Sequence, residues 1–530
     1  MLNFKKTMIA AFVASSVFSL SGCLDSGSDS GSDTTSSNTT NTTTPATPVN
    51  LVTDGRTLTL STAQHNNGVA DATSGAFPSS MITNGTLNST AWTAGWTVNI
   101  HGNATNWTKP SDATADGTCP AGTTDVTSNY NFAEELQGID VCELPATVQA
   151  NMILTDDNIY VVNAGAATRV GLGNEMGGAT ATGYTLTIEP GTLVLGGDKD
   201  YLLITRNSKI DAQGTAAKPI VFRSTTWATT GEEQRGTWGG LVLQGKGVDF
   251  AANADNEVLG EGGVLYYGGT DNTDNSGTLQ YVVITGAGDD LDGNGNELNA
   301  LTLQGVGSGT TLQYIQVDQT LDDGIEYFGG AANISHAVMS DIGDDGFDLD
   351  NGWKGSATNM LVWMSDSFTA GGAGESRGIE ADGYDPKDAN GDKYLDGGAE
   401  TTSATLSNFT IVGESISDTG MVLRRAVAID ADNFNISGFT ADSCMEIRDR
   451  GTIEDHAVTD ATTGATTWNG TYTRLSFANT VCYGNGNGAK LSMNKDETEH
   501  PANILDSAAA DAALAQWKLE GGAGITFVAP

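Results

Sequence analysis

Apolar and polar residues alternate along most of the chain in short runs bounded by Gly, Asn and Asp, the period of strands buried on one face. Tyr184-Thr-Leu-Thr-Ile-Glu-Pro-Gly-Thr-Leu-Val-Leu195, Pro219-Ile-Val-Phe-Arg-Ser224 and Trp238-Gly-Gly-Leu-Val-Leu243 show the pattern clearly. Further along, one phrase is written twice. Leu312-Gln-Tyr-Ile-Gln-Val317 precedes Asp322-Asp323-Gly324-Ile325-Glu326, and Ile334-Ser-His-Ala-Val-Met339 precedes Asp344-Asp345-Gly346-Phe347-Asp348. Both halves repeat at an offset of 22 (334 − 312 and 345 − 323). A repeat of that length built from short alternating runs predicts an all-β solenoid whose strands stack in parallel. Later rungs open at Leu406, Phe434 and Leu475.

The series from about residue 152 to 495 resembles bacterial right-handed parallel β-helix proteins, the broad pectate-lyase-like class. Within it the phrases Gly-Ser-Gly-Thr-Thr-Leu-Gln-Tyr and Asp-Asp-Gly-Phe-Asp are most similar to uncharacterised bacterial surface proteins. The resemblance implies the fold and is nearly silent on activity. The solenoid is accordingly placed at 151–500. Residues 51–150, with alternating Arg56-Thr-Leu-Thr-Leu60 and the bulky Trp92, Trp96 and Trp107, read as a β-rich N-terminal cap. A solenoid end exposes apolar surface unless covered, so such a cap is expected there. The tryptophans are read as its core rather than as sugar-stacking platforms. In 501–530, Asp506 or Ser507 caps a short helix ending near Gly521, the cover of the other end.

The N-terminus has Lys5-Lys6, an apolar run from Met8 to Leu20, and Leu20-Ser21-Gly22-Cys23, which resembles the bacterial lipobox. The resemblance implies that residues 1–22 are a lipoprotein signal peptide and that Cys23 carries acyl chains, palmitate among them. Leu24 in place of Asp implies the outer membrane of a Gram-negative cell, with the protein anchored at its surface. Residues 23–50 are almost wholly Ser, Thr, Asn, Gly and Asp, a composition that forms no core and serves as a disordered tether.

Charge narrows the functions. With 65 acidic and 24 basic residues the net charge is −41. Such a surface repels nucleic acid and favours solubility or divalent cations. Beyond Cys23, the even set Cys119, Cys142, Cys444 and Cys482 suggests two disulfides in an exported chain, the local pairing being Cys119–Cys142 and Cys444–Cys482.

Aligning rungs on Gly324, Gly346, Gly378 and Gly420 puts Ile325, Tyr327, Phe347, Leu349, Ile379, Ala381, Met421 and Leu423 inward. Outward then come Glu326, Asp348, Glu380 and Val422 in one column, with Phe328, Asp350, Asp382 and Arg424 beside it. Rungs lie about 4.8 Å apart, so these carboxylates crowd one face. They must protonate, bind a cation or be relieved by Arg377, Arg424 and Arg425. Oxygen-rich clusters suit Ca²⁺. The candidate ligand face is therefore Glu326, Asp345, Asp348, Asp350, Arg377, Glu380, Asp382 and Arg424. A second calcium candidate is the loop Asp388, Asn390, Asp392, Tyr394 and Asp396, which follows the first half of an EF-hand-type loop, although position twelve is Ala399. Asp290-Leu-Asp292-Gly-Asn294-Gly-Asn296-Glu297 is a weaker example of the same pattern.

Asp345 and Asp348 resemble the paired aspartates of polygalacturonases, but that family's His-Gly and Arg-Ile-Lys phrases are absent. The five histidines form no metal or catalytic spacing, and His336 reads as packing. No catalytic residue is assigned. The expected function is a lipid-anchored surface protein that binds a glycan, another extracellular ligand or an outer-membrane protein through a Ca²⁺-stabilised acidic face. The alternatives are a polysaccharide lyase or glycoside hydrolase, and an accessory subunit of an outer-membrane uptake or secretion system.

Overall fold

Strand residues that alternate in the sequence pair in parallel, rung upon rung, into two sheets that wrap one core. A computed structural model describes residues 50–528, except 53, 61–74, 112, 164–168, 174–181, 261–264, 292–296, 365–375, 385–400, 415–416, 440–442, 449, 454–455, 460–465, 469–470, 484–488, 492–506 and 521. Cys23, the leader, almost all of the tether and the Asp388–Asp396 loop lie outside the described residues. The result is an all-β parallel β-helix. One sheet runs through eleven strands, from Thr147–Val148 to Ala489–Leu491. The other carries the remaining two faces of the solenoid.

Those two faces become continuous once the strands lengthen, in Gly277–Thr285, Thr311–Thr320, Asn333–Ile342, Ser356–Met364, Ser403–Gly413 and Ala428–Ser437. Each turns its corner on a single left-handed residue: Tyr281, Tyr314, His336, Asn359, Asn408 and Asn433, with φ between 48° and 65°. These residues stack in register. The left-handed region costs most L-residues roughly 1–2 kcal/mol, less for Asn. The column offsets the strain through side-chain contacts. The Tyr281 and Tyr314 rings stack at 4.4 Å, Tyr314 and His336 at 4.5 Å, and the Asn359 amide meets His336 Nε2 at 3.2 Å. Asn408 Nδ2 then donates to Asn359 Oδ1 (3.1 Å), and Asn433 Nδ2 to Asn408 Oδ1 (2.6 Å). His336 is thus a packing residue at a corner. Asn408→Ala removes both amide bonds and leaves a strained corner, and should cost about 2 kcal/mol in chemical denaturation. Asn408→Gly, which keeps the conformation, should cost about half that.

The described residues of 50–113 do not sit over the solenoid end. Among those described, Leu58, Leu60, Ala76, Phe77, Leu87, Ala91 and Ile100 pack along its flank on Val338, Leu361, Trp363 and Val412. Trp96 is fully buried there and Trp107 nearly so, both as core. The end itself is closed by residues 114–144. Asp140 Oδ2 accepts from the backbone N–H of Asp116, Gly117 and Thr118, and Thr124–Asp125 pairs antiparallel with Cys142–Glu143. Parallel pairing begins one rung before residue 151, where Val141–Glu143 lies against Ile159–Val161. At the other end the helix Ser507–Glu520 buries Trp517 against Phe477, its Nε1 donating to the Leu475 carbonyl at 3.1 Å. The disulfides are Cys119–Cys142 and Cys444–Cys482, the local pairing. The first ties the end cover to the first rung; the second joins the two sheets through the core.

Candidate functional site

The eleven-stranded sheet has the register that the aligned glycines imply. Ile325–Phe328 pairs with Phe347–Asp350, which pairs with Arg377–Asp382, then Thr419–Arg424, then Met445–Ile447. Pairing puts Thr302, Glu326, Asp348, Glu380, Val422 and Glu446 in one column on the outer face. Gln304, Phe328, Asp350, Asp382 and Arg424 follow in the neighbouring column. Ile325, Tyr327, Phe347, Leu349, Ile379, Ala381, Met421 and Leu423 point inward and are fully buried.

This face is not a solvated surface. Glu326 and Glu380 are each 7% exposed, Asp382 3% and Asp345 2%. Alternation tells which way a side chain points but not what lies over it. One cover here is the hairpin that pairs Val258–Leu259 with Tyr266–Tyr267. Tyr267 is buried, its hydroxyl donating to Asp249 Oδ2 at 2.5 Å, and it feels the charges of Asp350 and Glu326.

The charges divide unequally along the sheet. On the later rungs arginines meet Asp345, Glu380, Asp382 and Glu446. Arg377 Nη1 lies 3.2 Å from Asp345 Oδ2 and 3.0 Å from Glu380 Oε1. Arg424 holds Glu380 at 2.7 Å and Asp382 at 2.5 Å, Arg425 reaches Asp382 at 2.5 Å, and Arg448 reaches Glu446 at 2.9 Å. Toward the earlier rungs the carboxylates crowd one another. Carboxylate oxygens of Asp323, Glu326 and Asp348 lie within 4.8 Å of one another, as do those of Asp322, Asp323 and Asp344. Neutral donors meet two of them: Asn299 Nδ2 donates to Glu326 Oε2 at 2.5 Å and the Asp345 N–H to Asp323 Oδ1 at 2.8 Å. Asp348 keeps part of its side chain accessible, yet its Oδ1 is buried and accepts no hydrogen bond among the described residues.

The electrostatics follow. Burial first, then neighbouring carboxylates, push Asp323, Asp345 and Asp348 well above the usual carboxylate range. Asp322 is pushed up to about 7, by burial and then by Asp344, and Asp350 to about 7, by burial and then by Asp382. Glu380 is raised for the same first reason but held down by Arg424 and Arg377. Carboxylates that resist ionisation relax by taking a proton or a hard cation, and an all-oxygen set suits Ca²⁺ or Mg²⁺ rather than a soft metal.

The structure therefore gathers Glu326, Asp345, Asp348, Asp350, Arg377, Glu380, Asp382 and Arg424 on one face. Asp323, which the aligned register sets in line with Asp345 and Arg377, joins them, as do Asp322 and Asp344, which sequence reading did not place there; the repeated Asp-Asp-Gly phrase was their signal. Asn299, Asp249 and Tyr267 carry no comparable mark. Of the Asp290–Glu297 turn, the two ends bridge each other and the middle lies outside the described residues.

A family model for the pectate-lyase-like β-helix domain matches residues 175–520. The chain belongs to that family. No curated protein matches it closely enough to count as a relative. The family accounts for the stacked rungs of this β-helix protein and is consistent with a surface or polysaccharide-related role.

Proposed function

We propose that this β-helix protein is a surface binding protein, anchored in the outer membrane through a lipidated Cys23. Its acidic face takes Ca²⁺ on Asp323, Glu326 and Asp348 and holds an extracellular ligand or partner with the loops around it. One observation carries the reading: carboxylate oxygens of Asp323, Glu326 and Asp348 converge within 4.8 Å of one another, and the buried Oδ1 of Asp348 accepts no hydrogen bond among the described residues. The polysaccharide-lyase alternative needs an arginine or lysine, Arg377, Arg424 or Lys490 among the candidates, available as a base beside the cation. Arg377, Arg424 and Arg425 are each engaged by carboxylates at 2.5–3.2 Å, which favours the binding reading.

The test is thermal melting of the mature protein in 10 mM Ca²⁺ against sodium chloride of equal ionic strength, since screening of so many like charges also stabilises. An ion bound only by the folded state at a dissociation constant of about 10⁻⁴ to 10⁻³ M adds about 1.4–2.7 kcal/mol there, a rise of a few degrees. Asp323→Asn with Asp348→Asn should abolish the calcium-specific part. Persistence of that part in the double variant and its loss in Asp388→Ala with Asp392→Ala would move the ion to the loop. Equal shifts in both salts would remove calcium from the proposal.

A further inference from the structure

A second buried assembly of charge lies between the N-terminal flank segment and the solenoid. Asp318 and Asp341, on adjacent rungs, are each 1% exposed. Arg56, from the flank strand Asp54–Thr57, places Nη2 3.2 Å from Asp318 Oδ1 and 3.3 Å from Asp341 Oδ2, its guanidinium 4.9 Å from the Trp363 ring. Asn99 Nδ2 donates to Asp318 Oδ2 at 2.7 Å, and Ser340 Oγ to Asp318 Oδ1 at 2.5 Å. Arg235, from the loop after the short helix Thr225–Thr230, closes on Asp341. Beside this cluster the Val98 backbone is read by Gln316, whose Oε1 accepts from its N–H (2.7 Å) and whose Nε2 donates to its carbonyl (2.8 Å). Among the described residues the charged groups facing Asp318 are Arg56, Arg235 and Asp341.

Three features make this contact a joint. The flank segment completes its own strand pairs, Asp54–Thr57 with His101–Asn103 and Ile82–Thr83 with Thr86–Leu87, and among the described residues shares no strand pairing with the solenoid. Side chains make most of its attachment, through the ionic cluster, the Gln316 clamp and the apolar strip on Val338, Leu361, Trp363 and Val412, with backbone bonds from Val52 N–H to the Gly231 carbonyl and from Gly75 N–H to the Asn433 carbonyl, both 3.1 Å. A cavity of about 490 Å³ opens at the seam, lined by Arg56, Asn99, Arg223 and Gln319 among others, and lets water reach the edge of the cluster.

We propose that the flank segment is a proton-tightened clasp: it opens from the solenoid as a unit, baring the apolar strip, and proton uptake by the Asp318–Asp341 pair closes it. The sign follows from linkage. In the closed state burial, with Asp341 adding to it, lifts Asp318 to about 6 against Arg56, Ser340 and Asn99, which hold it down. An open Asp318 returns toward about 3.9. A group raised in the closed state contributes closing free energy that is fully present below its open value and lost as pH rises through about 6.

Hydrogen exchange of the intact mature protein tests this at pH 5.0 and 7.5, as protection factors, which remove the intrinsic pH dependence of exchange. Peptides from the solenoid core serve as reference. Flank peptides around Val98 should be about tenfold better protected at pH 5.0 than at 7.5 relative to that reference. Asp318→Asn should flatten the ratio. Arg56→Ala, which removes the cation that holds Asp318 down, should lose protection at pH 7.5 and show a larger ratio than the parent. An unchanged ratio in Asp318→Asn would overturn the proton role, and flank amides that exchange only together with the core would overturn the clasp.

Discussion

Gly378→Ala should unfold the later rungs or lower the stability of the chain by about 3 kcal/mol or more. Gly324, Gly346, Gly378 and Gly420 stack on successive rungs, and a Cβ on any of them would strike the rung above. On Gly378 it would lie 2.4 Å from Ile411 Cγ2 and 2.6 Å from the Gly420 carbonyl oxygen; on Gly346, 2.8 Å from the Gly378 oxygen; on Gly420, 2.5 Å from the Cys444 oxygen. The requirement is space, since none of the four has a left-handed backbone. Nor can the neighbour retreat. The rungs are fixed by bonds such as Gly346 N–H to the Arg377 carbonyl (2.9 Å) and Gly420 N–H to the Ser443 carbonyl (3.0 Å). Gly117→Ala is the comparison: its φ is +80° but nothing lies within 4 Å, so about 1 kcal/mol is expected from strain alone. Denaturation midpoints that fall equally for the two variants would show that the column is not sterically closed.

The same glycines made the fold legible. A spatial demand that recurs on every rung leaves a recurring residue, and aligning on it gives the register from Ile325 to Leu423 directly. The corners were harder, because the left-handed column is filled by Tyr281, Tyr314 and His336 before the asparagines begin. Its trace is in the spacing. Buried residues fall at Leu312, Ile315 and Val317, then Ile334, Ala337 and Met339, then Leu406, Phe409 and Ile411. One step of three interrupts a period of two, and that step is the bend. The flank segment left no trace of its docking, since residues such as Arg56 and Asn99 find partners more than two hundred positions away.

At the site, the columns of carboxylates followed from register, but their burial did not. Period-2 alternation assigns a face and says nothing of a hairpin inserted between residues 257 and 268 that returns to cover it. Nor does it show which carboxylates the arginines reach. Where Arg377, Arg424, Arg425 and Arg448 lie is set by packing, and so is the convergence of Asp323, Glu326 and Asp348.

Calcium and protons should compete for the converging carboxylates, so the calcium-dependent rise in melting temperature should be largest near pH 8 and nearly gone at pH 5. Asp322 and Asp350 are pushed up to about 7, and Asp323 and Asp348 also lie well above the usual carboxylate range, with burial the leading cause in each. Groups raised in the folded state stabilise it fully below their unfolded values, about 3.9, and withdraw that stabilisation as pH climbs through 7. The metal-free protein should therefore lose stability between pH 5 and 8, opposite to a protein whose carboxylates are salt-bridged. A cation that replaces the protons restores the loss at high pH, adding about 2.7 kcal/mol at a hundredfold its dissociation constant. Binding should release about one proton per ion, visible by calorimetry in buffers of different ionisation enthalpy. Asp323→Asn with Asp348→Asn should flatten the metal-free pH profile and the calcium response together, because one set of oxygens produces both. A calcium effect independent of pH, or a metal-free protein that grows more stable toward pH 8, would mean these carboxylates are ionised and already balanced by groups beyond the site.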